Sequence, residues 1–184
     1  MLRHLRSMFI QRFARLSSKK ISEKKPCVRA AMGVSYWQMN KSHLTAIKRN
    51  KFSAPMQYLR GVFSTTGGQS TGRYLDYGCG RGYDADALEL TKFDPHYFPQ
   101  VPEGEFDIIT CNYVLNVIPL DGEEEVVDKI WNLLAPDGVA YITVRRDVKK
   151  EGLTSRGTFQ RNVVLNFPIE FEKKNQFCIY KLTK

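Results

Sequence analysis

The chain has 184 residues, of which 42% are hydrophobic, 12% aromatic and 26% charged. That composition excludes a wholly disordered, collagenous or disulfide-scaffold chain and fits one folded domain with a tail. The formal charge of +9 is unevenly placed: residues 1–60 hold 14 of the 28 Lys and Arg with Glu23 as their one acid, and residues 61–184 hold 14 bases against 18 acids.

Basicity is therefore an N-terminal property, and the part expected to fold is mildly acidic. No apolar run approaches the roughly 18 to 20 residues needed to cross a bilayer, so no membrane span is expected. Cys27, Cys79, Cys111 and Cys178 lie far apart without a CxxC pair or clustered histidines. The pattern indicates neither a metal site nor a disulfide framework, and a reducing, cytoplasmic location is the simpler expectation.

Residues 1–38 form a basic extension. Leu2, Leu5, Phe9, Phe13 and Leu16 recur at helical spacing among Arg3, Arg6, Arg12 and Arg15. An Arg-rich, acid-poor helix over residues 1–25 suits a mitochondrial presequence, contact with phosphates or an anionic membrane surface, or a solvated tail. A start at Met39 is a further alternative. Residues 39–72 form a helical prelude and loop. Leu44 to Lys51 is expected to make a short helix, and Ser53 to cap a second one that carries Pro55 in its first turn and an apolar face of Met56, Leu59 and Val62. The polar, glycine-containing stretch Ser64 to Gly72 ends the prelude.

The main domain spans residues 73–184. Tyr74 and Leu75 lead into Asp76, the chain breaks into Gly78, Cys79, Gly80, Arg81 and Gly82, and a helix is predicted from Tyr83 to Leu90. Phe106 to Cys111 is an apolar run suited to a buried parallel strand, and Glu124 to Leu134 has helical periodicity. After the Pro136, Asp137, Gly138 turn, Val139 to Val144 is the next strand, with Val163 to Leu165 and Phe177 to Leu182 closing the sheet. Alternating strands and helices define an α/β fold with a largely parallel sheet. Three prolines between Pro95 and Pro102 argue against a strand there, so the sheet is predicted to be truncated at its second and third strand edge.

A dinucleotide fingerprint would place its third glycine at position 83, which is Tyr83. The pattern here is D-x-G-x-G-x-G, from Asp76 to Gly82. Together with the acid at Asp94, the strand Phe106 to Cys111 and the "LAPDGVAYITV" turn and strand, it resembles the class I S-adenosylmethionine-dependent methyltransferases. The resemblance implies a Rossmann-like, mostly parallel sheet with a closing antiparallel strand pair, and S-adenosyl-L-methionine as cofactor. It further implies that Gly78, Cys79, Gly80 and Gly82 pass beneath the methionine part, that Asp76 lies near the cofactor amino group, and that Asp94 accepts the ribose hydroxyls. Asn112, at the carboxyl edge of the sheet, is assigned to the cofactor, and Tyr113 and Asn116 to the substrate side. No catalytic base is evident, and His96 stays outside the assigned set. The text Asn112, Tyr113, Val114, Leu115 lacks the (D/N)PP(Y/F) motif of enzymes that methylate adenine or cytosine amino groups.

Read with their flanks, "HLTAIKRNKFSAP", "DYGCGRG", "FDPHYFP" and "NYVLNVIP" are similar to methyltransferases associated with DNA phosphorothioation and to compact phage and bacterial relatives. The matching positions are His43, Thr45, Ala46, Arg49, Ser53 and Pro55, then Asp94, Pro95, Tyr113, Val114, Asn116, Val117 and Ile118. Two basic groups, Lys41, Lys48, Arg49, Lys51 and Arg60 with Phe52 and Tyr58, and Arg145, Arg146, Lys149, Lys150 and Arg156, suit a nucleic-acid acceptor. The alternative is a non-catalytic cofactor-binding or nucleic-acid-associated accessory protein.

Overall fold

The computed structural model describes residues 41–64 and 72–184, so the expectations for residues 1–38 and most of the Ser64 to Gly72 loop lie outside it. Lys41–Thr45 is a 3-10 turn, and the chain then runs without regular structure to helix α1, Ala54–Ser64. There follow β1 (Tyr74–Tyr77), α2 (Tyr83–Ala87), β2 (Thr91–Phe93), β3 (Phe106–Asn112), α3 (Asp121–Leu133), β4 (Leu134–Arg145), the short β5 (Gly152–Leu153) and β6 (Phe159–Gln160), β7 (Ile169–Lys173) and β8 (Phe177–Thr183).

Six strands form one sheet in the order β2-β1-β3-β4-β8-β7. The pairs β1 with β2, β1 with β3 and β3 with β4 are parallel, and β8 pairs antiparallel with both β4 and β7. This is the expected Rossmann-like methyltransferase arrangement. It is truncated where the prolines indicated: β2 is the edge, three residues long, and nothing between Pro95 and Pro102 joins it.

Alternation along β4 divides the core. Ala140, Ile142 and Val144 pack with Val126 and Ile130 of α3, while Tyr141 packs with Met56 and Leu59 of α1 and Ala85 of α2. The sheet is thus covered on both faces, as a parallel sheet requires. Helix α3 carries Asp121, Glu123 and Glu124 in its first turn, where the helix dipole favours negative charge. Helix α1 begins as expected, with the Met56 amide donating to the Ser53 hydroxyl at 3.4 Å.

Several predicted elements are corrected. Leu44 to Lys51 is not a helix: Leu44 and Ile47 are exposed, so the segment has no apolar face to bury, and it instead runs across the glycine loop. Helix α2 stops at Ala87 because Glu89 takes a left-handed backbone (φ 54) and turns the chain directly into β2. Val163 to Leu165 is extended but unpaired. Val163 and Leu165 point into the core and Val164 is exposed, and the hairpin partner of β8 is the charged strand β7, turned at Asn175 (φ 55).

Leu59 is fully buried between α1 and the sheet. Leu59→Ala should lower unfolding stability by about 2–5 kcal/mol in urea titration. A loss within a few tenths of a kcal/mol would show that α1 is not part of the core.

Candidate functional site

The carboxyl ends of β1, β2 and β3 open into a cleft of about 1070 Å³, walled by the 41–53 segment and by the end of β4. It is lined by Asp76, Gly78, Cys79, Gly80, Gly82, Asp94, Asn112 and Tyr113, so the sequence-assigned residues come together with one exception. Asn116 does not reach it. Fully buried, it donates through Nδ2 to the Arg161 carbonyl at 2.9 Å and accepts the Arg145 amide on Oδ1 at 2.7 Å. With both amide atoms taken by backbone, it braces the turn after β3 and leaves the substrate-side set.

The glycine loop is closed on the protein. Gly78 and Cys79 donate their amides to the Phe93 carbonyl at 2.7 and 3.0 Å, Gly82 donates to Cys79, and the Gly80 amide donates to Asp94 Oδ2 at 3.1 Å. Asp94 Oδ1 also accepts the amides of His96 and Tyr97 at 2.9 and 3.0 Å. One carboxylate therefore ties the loop after β1 to the turn after β2, and three of its roughly four acceptor positions are filled. Gly78 must be glycine on two counts: its φ is +76, and a Cβ would lie 2.3 Å from the Val114 side chain.

Beneath the loop, Asp76 is 3% exposed and accepts a single side-chain hydrogen bond, from Thr110 Oγ1 at 2.8 Å. Burial pushes its pKa up to about 7, partly offset by that bond, and the neighbouring carboxylates of Asp84 and Asp94 add to the rise. Asn112 accepts from the Thr143 hydroxyl at 2.7 Å, but its Nδ2 is buried without a partner. Tyr113 holds a left-handed backbone (φ 65), an uncommon state that persists where the surroundings enforce it. Its phenol is pushed up to about 12 by burial. Burial also holds the Cys79 thiol well above its ordinary range.

The 41–53 segment forms a strap. Ala46 packs against Gly80, the Tyr83 hydroxyl donates to the Asn50 carbonyl at 2.9 Å, and the Ser53 amide donates to buried Asp84 at 3.0 Å. His43 stacks on His96 with ring centroids 4.0 Å apart. Nothing in the sequence marks the Thr110–Asp76 and Thr143–Asn112 pairs, because a threonine in a strand is ordinary. Asp84 could have been singled out as an acid in the first turn after the glycine loop.

The basic groups are partly committed elsewhere. Arg145 makes a bidentate pair with Asp147 at 2.8 and 3.0 Å, and Arg146 donates to the Val163 carbonyl and the Tyr180 hydroxyl. Tyr58 stacks on Phe171. Among the described residues no group of three or more His, Cys, Asp or Glu is placed to hold a metal, and no helix is long and apolar enough to cross a membrane.

The methyltransferase-domain family model matches residues 47–177, and the chain belongs to that family, whose enzymes use S-adenosylmethionine. Among solved structures it is similar to the Burkholderia thailandensis 1,6-didemethyltoxoflavin N1-methyltransferase, a complex with 1,6-didemethyltoxoflavin and S-adenosylhomocysteine. The two share 17% identity over 71% of this chain and 78% of that one, at a TM-score of 0.55. It is also similar to magnesium protoporphyrin IX methyltransferase from Synechocystis with bound S-adenosylmethionine, at 12% identity over 74% and 86% of the two chains and a TM-score of 0.44. The curated proteins contain no match.

Raised by burial, the Asp76 carboxyl keeps its proton in the folded state up to about pH 7, whereas the unfolded chain loses it near pH 4. Between those values the unfolded state binds fewer protons, so Asp76 makes stability fall as pH rises, with the loss complete above about pH 7. Subtracting the Asp76→Asn curve from that of the ligand-free wild type should leave this slope. A flat difference between pH 4 and 7 would contradict the burial argument.

Proposed function

We propose that the cleft binds S-adenosyl-L-methionine over the glycine loop and that the chain transfers its methyl group to an acceptor held beside Tyr113. The observation that carries this reading is the state of the loop. A pyrophosphate cradle needs free amides, but here the Gly78, Cys79, Gly80 and Gly82 amides all have protein acceptors. The floor of the cleft is acidic instead, with Asp76 half-satisfied below the loop. Such a floor favours a cationic ligand over a nicotinamide dinucleotide.

In this reading Asp76 takes the cofactor ammonium, the orphaned Asn112 Nδ2 donates to a cofactor oxygen, and the remaining acceptor position of Asp94 faces the ribose. When bound, the cofactor supplies an electrophilic methyl on a sulfonium. The chain positions an acceptor in line with it and keeps water out. Exposed Lys48 and Lys51 on the strap support nucleic acid as a second acceptor reading, in keeping with the likeness of this segment to phosphorothioation-associated methyltransferases. The accessory-protein reading shares the cofactor site and differs only in lacking turnover. A cytoplasmic location accords with the free cysteines Cys79, Cys111 and Cys178.

Calorimetric titration should show saturable binding of S-adenosylmethionine and S-adenosylhomocysteine but not of a nicotinamide dinucleotide. Asp94→Ala should weaken binding by about tenfold or more, the worth of a charge-assisted hydrogen bond. Gly80→Val, strained at φ +57 and crowding Ala46 at 3.2 Å, should abolish it. A folded wild-type protein that binds neither sulfur compound would refute the proposal.

A further inference from the structure

Three features of the cleft are not absorbed by the cofactor reading: the His43–His96 stack, the Arg145–Asp147 pair and Arg49. The sheet order β2-β1-β3 separates them, because His96 follows β2, on one side of the glycine loop, and Tyr113 follows β3, on the other. On the Tyr113 side the cleft is lined by Arg49, Arg145, Asp147 and Asp84. Arg145 is neutralised by the bidentate contact with Asp147, and Asp84 accepts the Ser53 amide. Arg49 lines the cleft, half-buried, and has no ion pair among the described residues.

That corner offers an unmatched guanidinium and a protonated phenol, both donors, and no group fit to remove a proton. Tyr113 and Cys79 stay protonated, Asp147 is held by Arg145, Asp84 accepts the Ser53 amide, and Asp76 is taken by the cofactor ammonium in the reading above. A neutral hydroxyl or ammonium acceptor would need a base here. An acceptor that arrives as an anion would not.

Resting on the cofactor reading above, we infer that the methyl acceptor is a carboxylate, held by Arg49 and Tyr113. One carboxylate oxygen forms the new O–CH3 bond as the S–CH3 bond breaks, and the bonding pair stays on sulfur. The sulfonium becomes a neutral thioether, the carboxylate becomes a neutral methyl ester, and no proton moves. Arg49 and the Tyr113 hydroxyl hold the acceptor in line with the methyl group. Arg49, the cation without an ion pair on the Tyr113 side, suits a monoanion, and the nearby Asp84 carboxylate opposes a phosphate dianion.

The test begins by confirming cofactor binding, so that failure of the cofactor reading is seen separately. The loaded protein is then given methyl-labelled S-adenosylmethionine and an ultrafiltered small-molecule extract, either untreated or with its carboxylates blocked as methylamides. The expected product forms only in the untreated extract and releases its label as methanol in mild alkali. Arg49→Ala should lower kcat/KM for it by about 10–100-fold, the range for a lost hydrogen bond to a charged group, with Arg49→Lys recovering part of the loss and cofactor affinity unchanged. As a readout independent of turnover, benzoate should bind the S-adenosylhomocysteine-loaded protein at least about tenfold more tightly than benzamide, and Arg49→Ala should remove the difference. Alkali-stable label, as on nitrogen, carbon, phosphoryl oxygen or a nucleic acid, overturns the proposal. So does the absence of transfer from a cofactor-loaded protein, or equal binding of benzoate and benzamide.

Discussion

The site depends on a carboxylate almost entirely buried at the floor of the cleft. Asp76 ends the most enclosed part of β1, between β2 and β3, with one threonine hydroxyl as its side-chain partner. Burying a charge with so little compensation is costly, and the protein responds by holding the proton well above the usual carboxylate range. A ligand that brings a positive group to the cleft floor relieves that cost. A pyrophosphate brings no such group and leaves that cost in place.

Around Asp76 the loop is fixed by the protein and not by its ligand. The Phe93 carbonyl and the Asp94 carboxylate take the amides of Gly78, Cys79 and Gly80, so β2, although only three residues long, positions the loop. This explains how the sheet can lose strands beyond β2 and still shape a cleft. The strap from Lys41 to Ser53 supplies the wall that a further strand and helix would otherwise provide, and its Ala46 is small enough to lie on Gly80. Loop and Asp94 turn form one unit in which the amides of Gly78, Cys79, Gly80, Gly82, His96 and Tyr97 are satisfied before any ligand arrives.

Much of this was legible in the sequence, and the limits have physical causes. The apolar run Phe106 to Cys111, the glycine spacing after Asp76 and the prolines after Asp94 each answer to one local rule, and they located β3, the loop and the truncated edge. Strand β7 was missed because its alternating charges, Glu170, Glu172 and Lys173, belong to an edge strand with one wet face, whereas the apolar Val163 to Leu165 is buried without a ladder partner. Asn116 looked like a ligand residue from its position past a strand. Its actual role depends on Arg161, far along the chain, whose carbonyl it binds. His43 stood out through family likeness, Arg49 through that likeness and its basic neighbours, and their place in the cleft is set by the strap's path, which no periodicity encodes.

The central claim is that Asp76 gives up its proton to receive a cationic cofactor. Calorimetry of S-adenosylhomocysteine binding at pH 6, repeated in buffers of different ionisation enthalpy, measures that proton directly. Because the ligand-free pKa is about 7, binding at pH 6 should release about one proton, and Asp76→Asn should release none. Binding to the wild type with no proton released would contradict the account.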